Sequence, residues 1–209
     1  MKTIVINSEN EAVQPGENGP AIKKKENTVL INLKDFVVLV AGILLVFSFL
    51  FRIVVVSGPS MMDTLTDGDW LLLLGNVFYT DPKQGDIVVA SKASFEDGTP
   101  IIKRVIATEG QTVNIDFQTG VVYVNGEALD EPYTLTPTNL FEGVSFPLTV
   151  ADGCIFVMGD NRNDSKDSRS EEIGLIDTRE VLGKAIFLLF PGTDRFEGRR
   201  IYNRIGVVS

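Results

Sequence analysis

Residues 36–51 read FVVLVAGILLVFSFLF and contain no charged side chain. Arg52 interrupts the run, and Ile53-Val54-Val55-Val56 continues it. As a helix, the first sixteen residues span about 24 Å, and an extension to Val56 spans about 31 Å, close to the ~30 Å hydrocarbon core of a bilayer. Arg52 would then place its charged end at the membrane interface. The stretch predicts one transmembrane helix over residues 36–52.

Two other interpretations of the apolar stretch stay open. It is a buried helix if the protein is soluble, although nothing between Phe36 and Phe51 has a polar face. It is a cleavable signal peptide if the charged start is short, but here 35 residues precede it. Lysines precede the stretch, and positive flanks stay in the cytoplasm. These lysines are Lys23, Lys24, Lys25 and Lys34. We therefore expect residues 1–35 to be a flexible cytoplasmic tail and the chain after the helix to be extracytoplasmic.

The rest of the chain has the pattern of a β protein. Short apolar or alternating runs stand between turn signals, which is typical of strands. Asn125-Gly126 follows one of these runs and predicts a tight hairpin turn. We predict a mainly β fold, in which a catalytic core of residues 53–107 and 153–209 carries a smaller β insertion at 108–152. The predicted strands are 69–74, 86–90, 112–116, 120–126, 154–158 and 185–190.

Composition excludes several classes of function. The net charge is −9, and no basic stripe is interleaved with aromatic residues, so we expect no nucleic-acid partner. The single cysteine, Cys154, excludes an internal disulfide and a cysteine-rich zinc site. No metal and no organic cofactor is implied. The chain contains no histidine, so a serine nucleophile would need another base.

Ser60 and Lys103 are the candidate nucleophile and base. Ser60 stands in the turn Gly58-Pro59-Ser60-Met61, and Lys103 stands in the apolar run PIIKRVI, residues 100–106. An ordinary lysine has a pKa near 10.4, so roughly one in a few thousand is unprotonated at neutral pH. Burial beside apolar neighbours lowers that pKa and makes a base. Taken alone, Ser60 is better explained as a turn or cap serine and Lys103 as a solvent-facing lysine. Together they predict a serine hydrolase with a Ser/Lys dyad at a membrane surface.

A third cluster is the most specific. Residues 158–169 read MGDNRNDSKDSR. The Ser60 turn, the Lys103 run and this cluster, in this order after one transmembrane segment, resemble bacterial type I signal peptidases over residues 36–190. The resemblance implies a membrane-anchored serine endopeptidase that removes signal peptides from exported preproteins outside the membrane. It implies Ser60 as nucleophile, Lys103 as general base, Ser165 as the serine that orients the lysine, and a bracing set of charges; that set is Asp160, Arg104, Asp167 and Arg169.

The resemblance also implies how substrate is held. Val56 and Ile102 align with positions that line pockets for small side chains, which predicts Ala-x-Ala-like cleavage sites on an extended strand. The Ser60 N–H is the first donor to the oxyanion. Some family members have a serine where this chain has Gly58, so the second donor stays open between the Gly58 N–H and Ser57.

Asp63 departs from the family, which usually has proline at this position. It could hold a similar turn through its own backbone hydrogen bonds, but it also adds a negative charge near the site. The alternatives are a non-catalytic anchored paralogue that binds signal peptides, or a Ser/Lys peptidase with a narrower target. We expect signal peptides and the lipid bilayer as partners, with contact to the export machinery as a further expectation.

Overall fold

The structure is a computed structural model, and it describes residues 28–193 and 198–208. The apolar stretch forms helix α1, Thr28–Leu50, in which Asn32–Leu50 is long and apolar enough to cross a membrane. The helix begins before the predicted start at residue 36 and ends before the predicted end at residue 52. The first 27 residues of the predicted tail lie outside the described residues.

Strand β1, Phe51–Val55, follows helix α1 directly. The expected helical extension to Val56 is therefore wrong, and Arg52 is a strand residue. The reason is pairing: β1 forms an antiparallel ladder with β2, Trp70–Gly75, in which Phe51 lies opposite Leu74 and Val55 opposite Trp70. The β-branched residues Ile53, Val54 and Val55 favour this extended state.

Two antiparallel sheets make up the mainly β domain, as predicted. The larger sheet has the strand order β1-β2-β11-β3-β4-β9-β10, with β12 added beside β11. The smaller sheet has the order β7-β6-β5-β8. The remaining strands are β3 Ile87–Ala90, β4 Ile101–Thr108, β5 Thr112–Asp116, β6 Val121–Val124, β7 Glu127–Ala128, β8 Leu148–Thr149, β9 Cys154–Met158, β10 Ile176–Asp177, β11 Val181–Phe190 and β12 Gly206–Val207.

The strand β3 shows where the core lies. All four of its residues are buried: Ile87 and Val89 join one apolar cluster, and Val88 and Ala90 join another. A strand that is covered on both faces reads as a continuous apolar run, which is why its sequence does not alternate. The neighbour β4 therefore carries its central residues through the interior of the domain.

The smaller sheet lies within residues 108–152, the range predicted for the insertion. Its predicted hairpin is confirmed: Asn125 and Gly126 have φ angles of 54° and 84°, and Val124 pairs with Glu127. Positive φ at both turn residues is what an Asn-Gly hairpin supplies. One apolar cluster, which includes Val113 of β5 and Phe156 of β9, joins the two sheets. The division of the chain into a core and an insertion stays a prediction.

Candidate active site

Ser60 lies in the turn between β1 and β2. Backbone bonds shape this turn: the Met62 N–H donates to Pro59 O at 3.1 Å and the Leu65 N–H to Met61 O at 2.8 Å. Met61 and Leu65 are each 1% exposed and pack into the core cluster of the larger sheet. Burial of each such side chain contributes about 1.5–3 kcal/mol, so the core fixes the turn. Asp63 is exposed on the same turn.

Lys103 is brought to Ser60 by the central strand β4, where it pairs with Val88. Its Nζ lies 2.7 Å from Ser60 Oγ, and the residue is 5% exposed. The charged lysine donates to the hydroxyl at this distance; a neutral amine would accept the hydroxyl proton at the same place. The structure thus joins the nucleophile and the base predicted from two separate motifs.

Burial lowers the pKa of Lys103 from its ordinary value of 10.5 to about 8. Asp167, Glu142 and Asp160 oppose this change, because their negative charges raise the pKa of Lys103, while the Arg169 charge lowers it. Desolvation is the largest influence and decides the direction. Near pH 7, about one lysine in ten would then be neutral, against about one in three thousand at the ordinary value.

Gly159 lets the third cluster approach the nucleophile. A Cβ at this position would lie 2.5 Å from Ser60 O and 2.2 Å from Ser165 Oγ, so no side chain fits. The next residues bind the turn: the Asn161 N–H donates to Ser60 O at 3.0 Å, and Asn161 Nδ2 donates to Pro59 O at 3.2 Å. The loop after β9 therefore holds the backbone of the nucleophile.

Ser165, Asp167 and Arg169 form one buried group. The Ser165 hydroxyl donates to Asp167 Oδ2 at 2.8 Å, and the Arg169 guanidinium binds both Asp167 oxygens, each at 2.8 Å. We predicted that Ser165 orients the lysine. The described hydrogen bonds take Ser165 to Asp167 and Lys103 to Ser60, and the orienting role of Ser165 stays a prediction.

Arg104 and Asp160 form a second buried group. Arg104 Nε and Nη2 each donate to one oxygen of Asp160 at 2.8 Å, and Nη1 donates to Gly85 O at 2.9 Å. Thr64 Oγ1 also donates to Asp160 Oδ2, at 2.6 Å. The four charged residues predicted to brace the site are therefore two forked ion pairs, one of which reaches the nucleophile turn.

A cavity of about 550 Å³ opens beside Ser60 and Lys103. Strand β1 with its extension to Val56 forms one wall, and Ile101 and Ile102 of β4 form another. Val56 is buried and Ile102 is half-buried. The structure thus places both predicted substrate-binding residues at one groove with the dyad.

Gly58 does not offer a free N–H. Its φ is 89°, and its N–H donates to Asp67 Oδ1 at 2.9 Å. The residue therefore contributes a backbone conformation that favours glycine, rather than an unoccupied oxyanion donor. Ser57 is exposed and lines the cavity.

Several residues near the site were not predicted. Asn161 lies inside the quoted motif of residues 158–169 and Thr64 follows Ser60 by four positions, but no local pattern indicates their partners. Glu142 comes from the smaller-sheet segment; its Oε2 is buried without a hydrogen-bond partner, 3.6 Å from Arg169 Nε. Burial and the Asp167 charge raise the pKa of Glu142. Arg204, in a turn of 3₁₀ helix, binds buried Asp69 at 2.7 Å, and nothing in the sequence joins those two positions.

Comparison with known proteins agrees with this geometry. A family model described as signal peptidase, peptidase S26, matches residues 29–190. Signal peptidase I of Bacillus licheniformis is 37% identical over 175 residues, which cover 80% of this chain and 91% of that protein. Signal peptidase I T of Bacillus subtilis (strain 168) is 38% identical, covering 81% and 89%. A signal peptidase I of Bacillus amyloliquefaciens is 35% identical, covering 83% and 92%. The chain therefore belongs to the signal peptidase family, peptidase S26.

Proposed function

We propose that this peptidase removes signal peptides from exported preproteins with Ser60 as nucleophile and Lys103 as general base. The observation that carries the assignment is the 2.7 Å distance from Lys103 Nζ to Ser60 Oγ in a site where burial lowers the lysine pKa to about 8. A base must lie within hydrogen-bond reach of the proton that it takes and have a pKa near the working pH. Lys103 meets both conditions.

The reaction follows from these two groups. Neutral Lys103 takes the hydroxyl proton as Ser60 Oγ attacks the carbonyl carbon of the scissile peptide bond. The Ser60 N–H is the proposed first donor to the oxyanion. Protonated Lys103 then gives its proton to the leaving amine, which is the new N-terminus of the mature protein. Lys103 next takes a proton from water as the water oxygen attacks the ester carbon. Lys103 returns that proton to Ser60 Oγ as the ester bond breaks, and the signal peptide leaves with a new C-terminal carboxyl group.

The groove supports an extended substrate with small side chains. A peptide strand between Val56 and Ile102 would lie along β1 and β4, with alternate side chains directed at the walls. The walls made by these two residues are apolar and suit small apolar side chains, so we propose Ala-x-Ala-like sites.

We further propose that α1 anchors the peptidase in the membrane, with the N-terminus in the cytoplasm. The apolar span Asn32–Leu50 supports the anchor, and the lysines before it support the orientation. The catalytic domain would then lie outside the membrane beside the lipid. Trp70 is 49% exposed while Leu71 and Leu73 of the same strand are buried, so the strand has a core face and an exposed apolar end. Contact with the export machinery stays an expectation.

The test is cleavage of a preprotein with an Ala-x-Ala site by the full chain in detergent. Ser60→Ala and Lys103→Ala are compared with wild type, and Lys83→Ala serves as a control at an exposed lysine. We expect a product with the correct new N-terminus from wild type and the control, and none from the two dyad variants. Cleavage by either dyad variant at the wild-type rate would contradict the dyad. Binding without cleavage by folded wild type would favour the non-catalytic alternative.

A further inference from the structure

The Tyr133 ring lies close to two buried arginines. Tyr133 belongs to the segment that joins β7 to β8 of the smaller sheet. Its ring centroid is 3.9 Å from Arg104 Cζ and 5.9 Å from Arg162 Cζ. Arg104 is 2% exposed and Arg162 is 1% exposed. Cations within about 6 Å of an aromatic ring are attracted to its face, and the attraction is greater where water is excluded.

The Tyr133 ring restricts a motion of Arg104 that its hydrogen bonds to Asp160 and Gly85 restrict only weakly, namely tilting of the guanidinium out of its plane. A guanidinium donates in its own plane, and the bonds of Arg104 to Asp160 and Gly85 occupy that plane. Bonds in the plane fix where the group lies, but they resist tilting out of the plane only weakly. Because Arg104 Cζ lies over the Tyr133 ring, 3.9 Å from its centroid, the ring leaves the guanidinium little space to tilt toward it.

Tyr133 is itself held in place. Its hydroxyl donates to Glu131 Oε1 at 3.0 Å, and Glu131 accepts two bonds from Arg162, at 2.5 and 2.8 Å. Burial, the largest cause, raises the pKa of Tyr133, so the hydroxyl stays protonated and remains a donor. Arg162 Nε in turn donates to Gly159 O at 3.1 Å.

Both arginines act on the loop that binds the nucleophile turn. Asp160, which Arg104 holds, accepts the Thr64 hydroxyl at 2.6 Å. Asn161 donates its N–H to Ser60 O at 3.0 Å. A displacement of the 159–161 backbone would therefore move Ser60 relative to Lys103, and small misplacements of reacting groups reduce rates strongly.

We propose that Tyr133 is a positioning residue for signal-peptide cleavage: its ring orients Arg104, and through Asp160 and Thr64 it holds the turn that carries Ser60. The smaller sheet thereby contributes to the geometry of the dyad although it supplies neither member. The proposal rests on the proposed function of Ser60 and Lys103.

The test compares Tyr133→Phe, which keeps the ring, with Tyr133→Leu, which removes it. Tyr123→Leu is the matched control, because Tyr123 is a half-buried tyrosine on β6 of the same sheet. kcat and KM are measured on one preprotein, well below the Tm of every variant. We expect Tyr133→Leu to lower kcat about tenfold with KM nearly unchanged, because the lost ring contact misplaces Ser60 rather than the groove. Tyr123→Leu should stay within about twofold of wild type, and Tyr133→Phe, which keeps the ring but loses the bond to Glu131, should lie between wild type and Tyr133→Leu.

A double variant tests whether Tyr133 acts on Ser60 through Asp160 and Thr64. If Tyr133 acts through Asp160 and Thr64, Tyr133→Leu combined with Thr64→Val should lose less than the product of the two single losses. Multiplicative losses would overturn the route. The positioning role is overturned if folded Tyr133→Leu keeps wild-type kcat, if Tyr123→Leu loses as much, or if Tyr133→Phe loses as much as Tyr133→Leu. Ser60→Ala runs beside them: cleavage by that variant would overturn the dyad, which is a separate failure.

Discussion

Lys103 and Arg104 are neighbours on β4, and both are buried, at 5% and 2% exposure. Arg104 binds both oxygens of Asp160. The hydrogen bond that the structure describes for Lys103 Nζ goes instead to the neutral hydroxyl of Ser60. Arginine keeps its proton in proteins whatever its partner, whereas burial lowers the pKa of Lys103 to about 8. The same strand thus holds a permanent charge that supports the site and a titrating amine that can act as a base.

The group around Asp167 repeats the arrangement of Arg104. Arg169 forms the same fork with Asp167, and both are fully buried. The pairs Arg104–Asp160 and Arg169–Asp167 are thus alike, whereas the described hydrogen bond of Lys103 goes to the hydroxyl of Ser60. Burial alone does not decide the role of a charged side chain here: the buried arginines keep their charge and bind carboxylates, whereas buried Lys103 can lose its proton beside a hydroxyl.

Substitution of each cation by the other type, Lys103→Arg and Arg104→Lys, should have the largest effects on cleavage. Lys103→Arg places a group that keeps its proton beside Ser60, so we expect kcat/KM to fall by about 10³-fold or more. Arg104→Lys keeps the charge but loses the fork, and we expect a smaller loss, of about tenfold. Cleavage kinetics of the two folded variants decide between these expectations. Equal losses would mean that the two positions do not differ in role.

The pH dependence sharpens the same difference. Because the neutral form of Lys103 is the base and its pKa is about 8, kcat/KM should rise with pH and level off above about pH 8. Near pH 6 we expect a rate about 100-fold below the plateau. Initial rates from pH 5.5 to 9.5 measure the inflection. A rate that is flat across this range would exclude Lys103 as the titrating base.

Removal of charge should have opposite effects on stability at the two positions. Asp160→Asn removes the buried carboxylate that accepts two hydrogen bonds from Arg104, so the free energy of unfolding should fall by about 3 kcal/mol. Lys103→Met removes a lysine that is costly to keep protonated, and it should raise that energy by about 2 kcal/mol near pH 7 after the lost Ser60 bond.

The pH window follows from the lowered pKa. Below pH 8 the folded state carries the full cost of the buried charge. Between pH 8 and 10.5 the unfolded chain binds the proton more than the folded chain does, so wild type gains stability as pH rises. The advantage of Lys103→Met should therefore shrink across this window. Denaturant unfolding at pH 7 and pH 10 measures both signs, and an advantage that grows with pH would contradict the buried-charge account.

Ser165→Ala should give the smallest effect. Its hydroxyl binds Asp167, not Lys103, so the loss leaves the dyad in contact and should lower kcat about tenfold or less. Ser170→Ala is the control, since that hydroxyl accepts from the Glu172 N–H at 3.3 Å, away from Ser60. A loss as large as that of Lys103→Arg would mean that Ser165 contacts the lysine directly during the reaction.

The sequence was a good guide wherever the signal is local. The apolar helix, the alternating strands and the Asn125-Gly126 hairpin follow from side-chain period and turn chemistry, and the structure confirms them. Local signal failed at the end of the helix, because Ile53–Val55 are apolar in either state and pairing with β2 decides for the strand. It also gave no sign that Tyr133 would meet Arg104.

The sequence by itself determined that a serine without any histidine must find another base, and that Lys103 in an apolar run is the candidate. It also determined the order of the three motifs that carry the family. Only the tertiary structure decided that Lys103 meets a hydroxyl and Arg104 a carboxylate, across 43 and 56 residues of chain. The physical reason is that side-chain type fixes which charges a residue can carry. The hydrogen-bond partner and the burial of that residue, in contrast, come from segments that are distant in sequence.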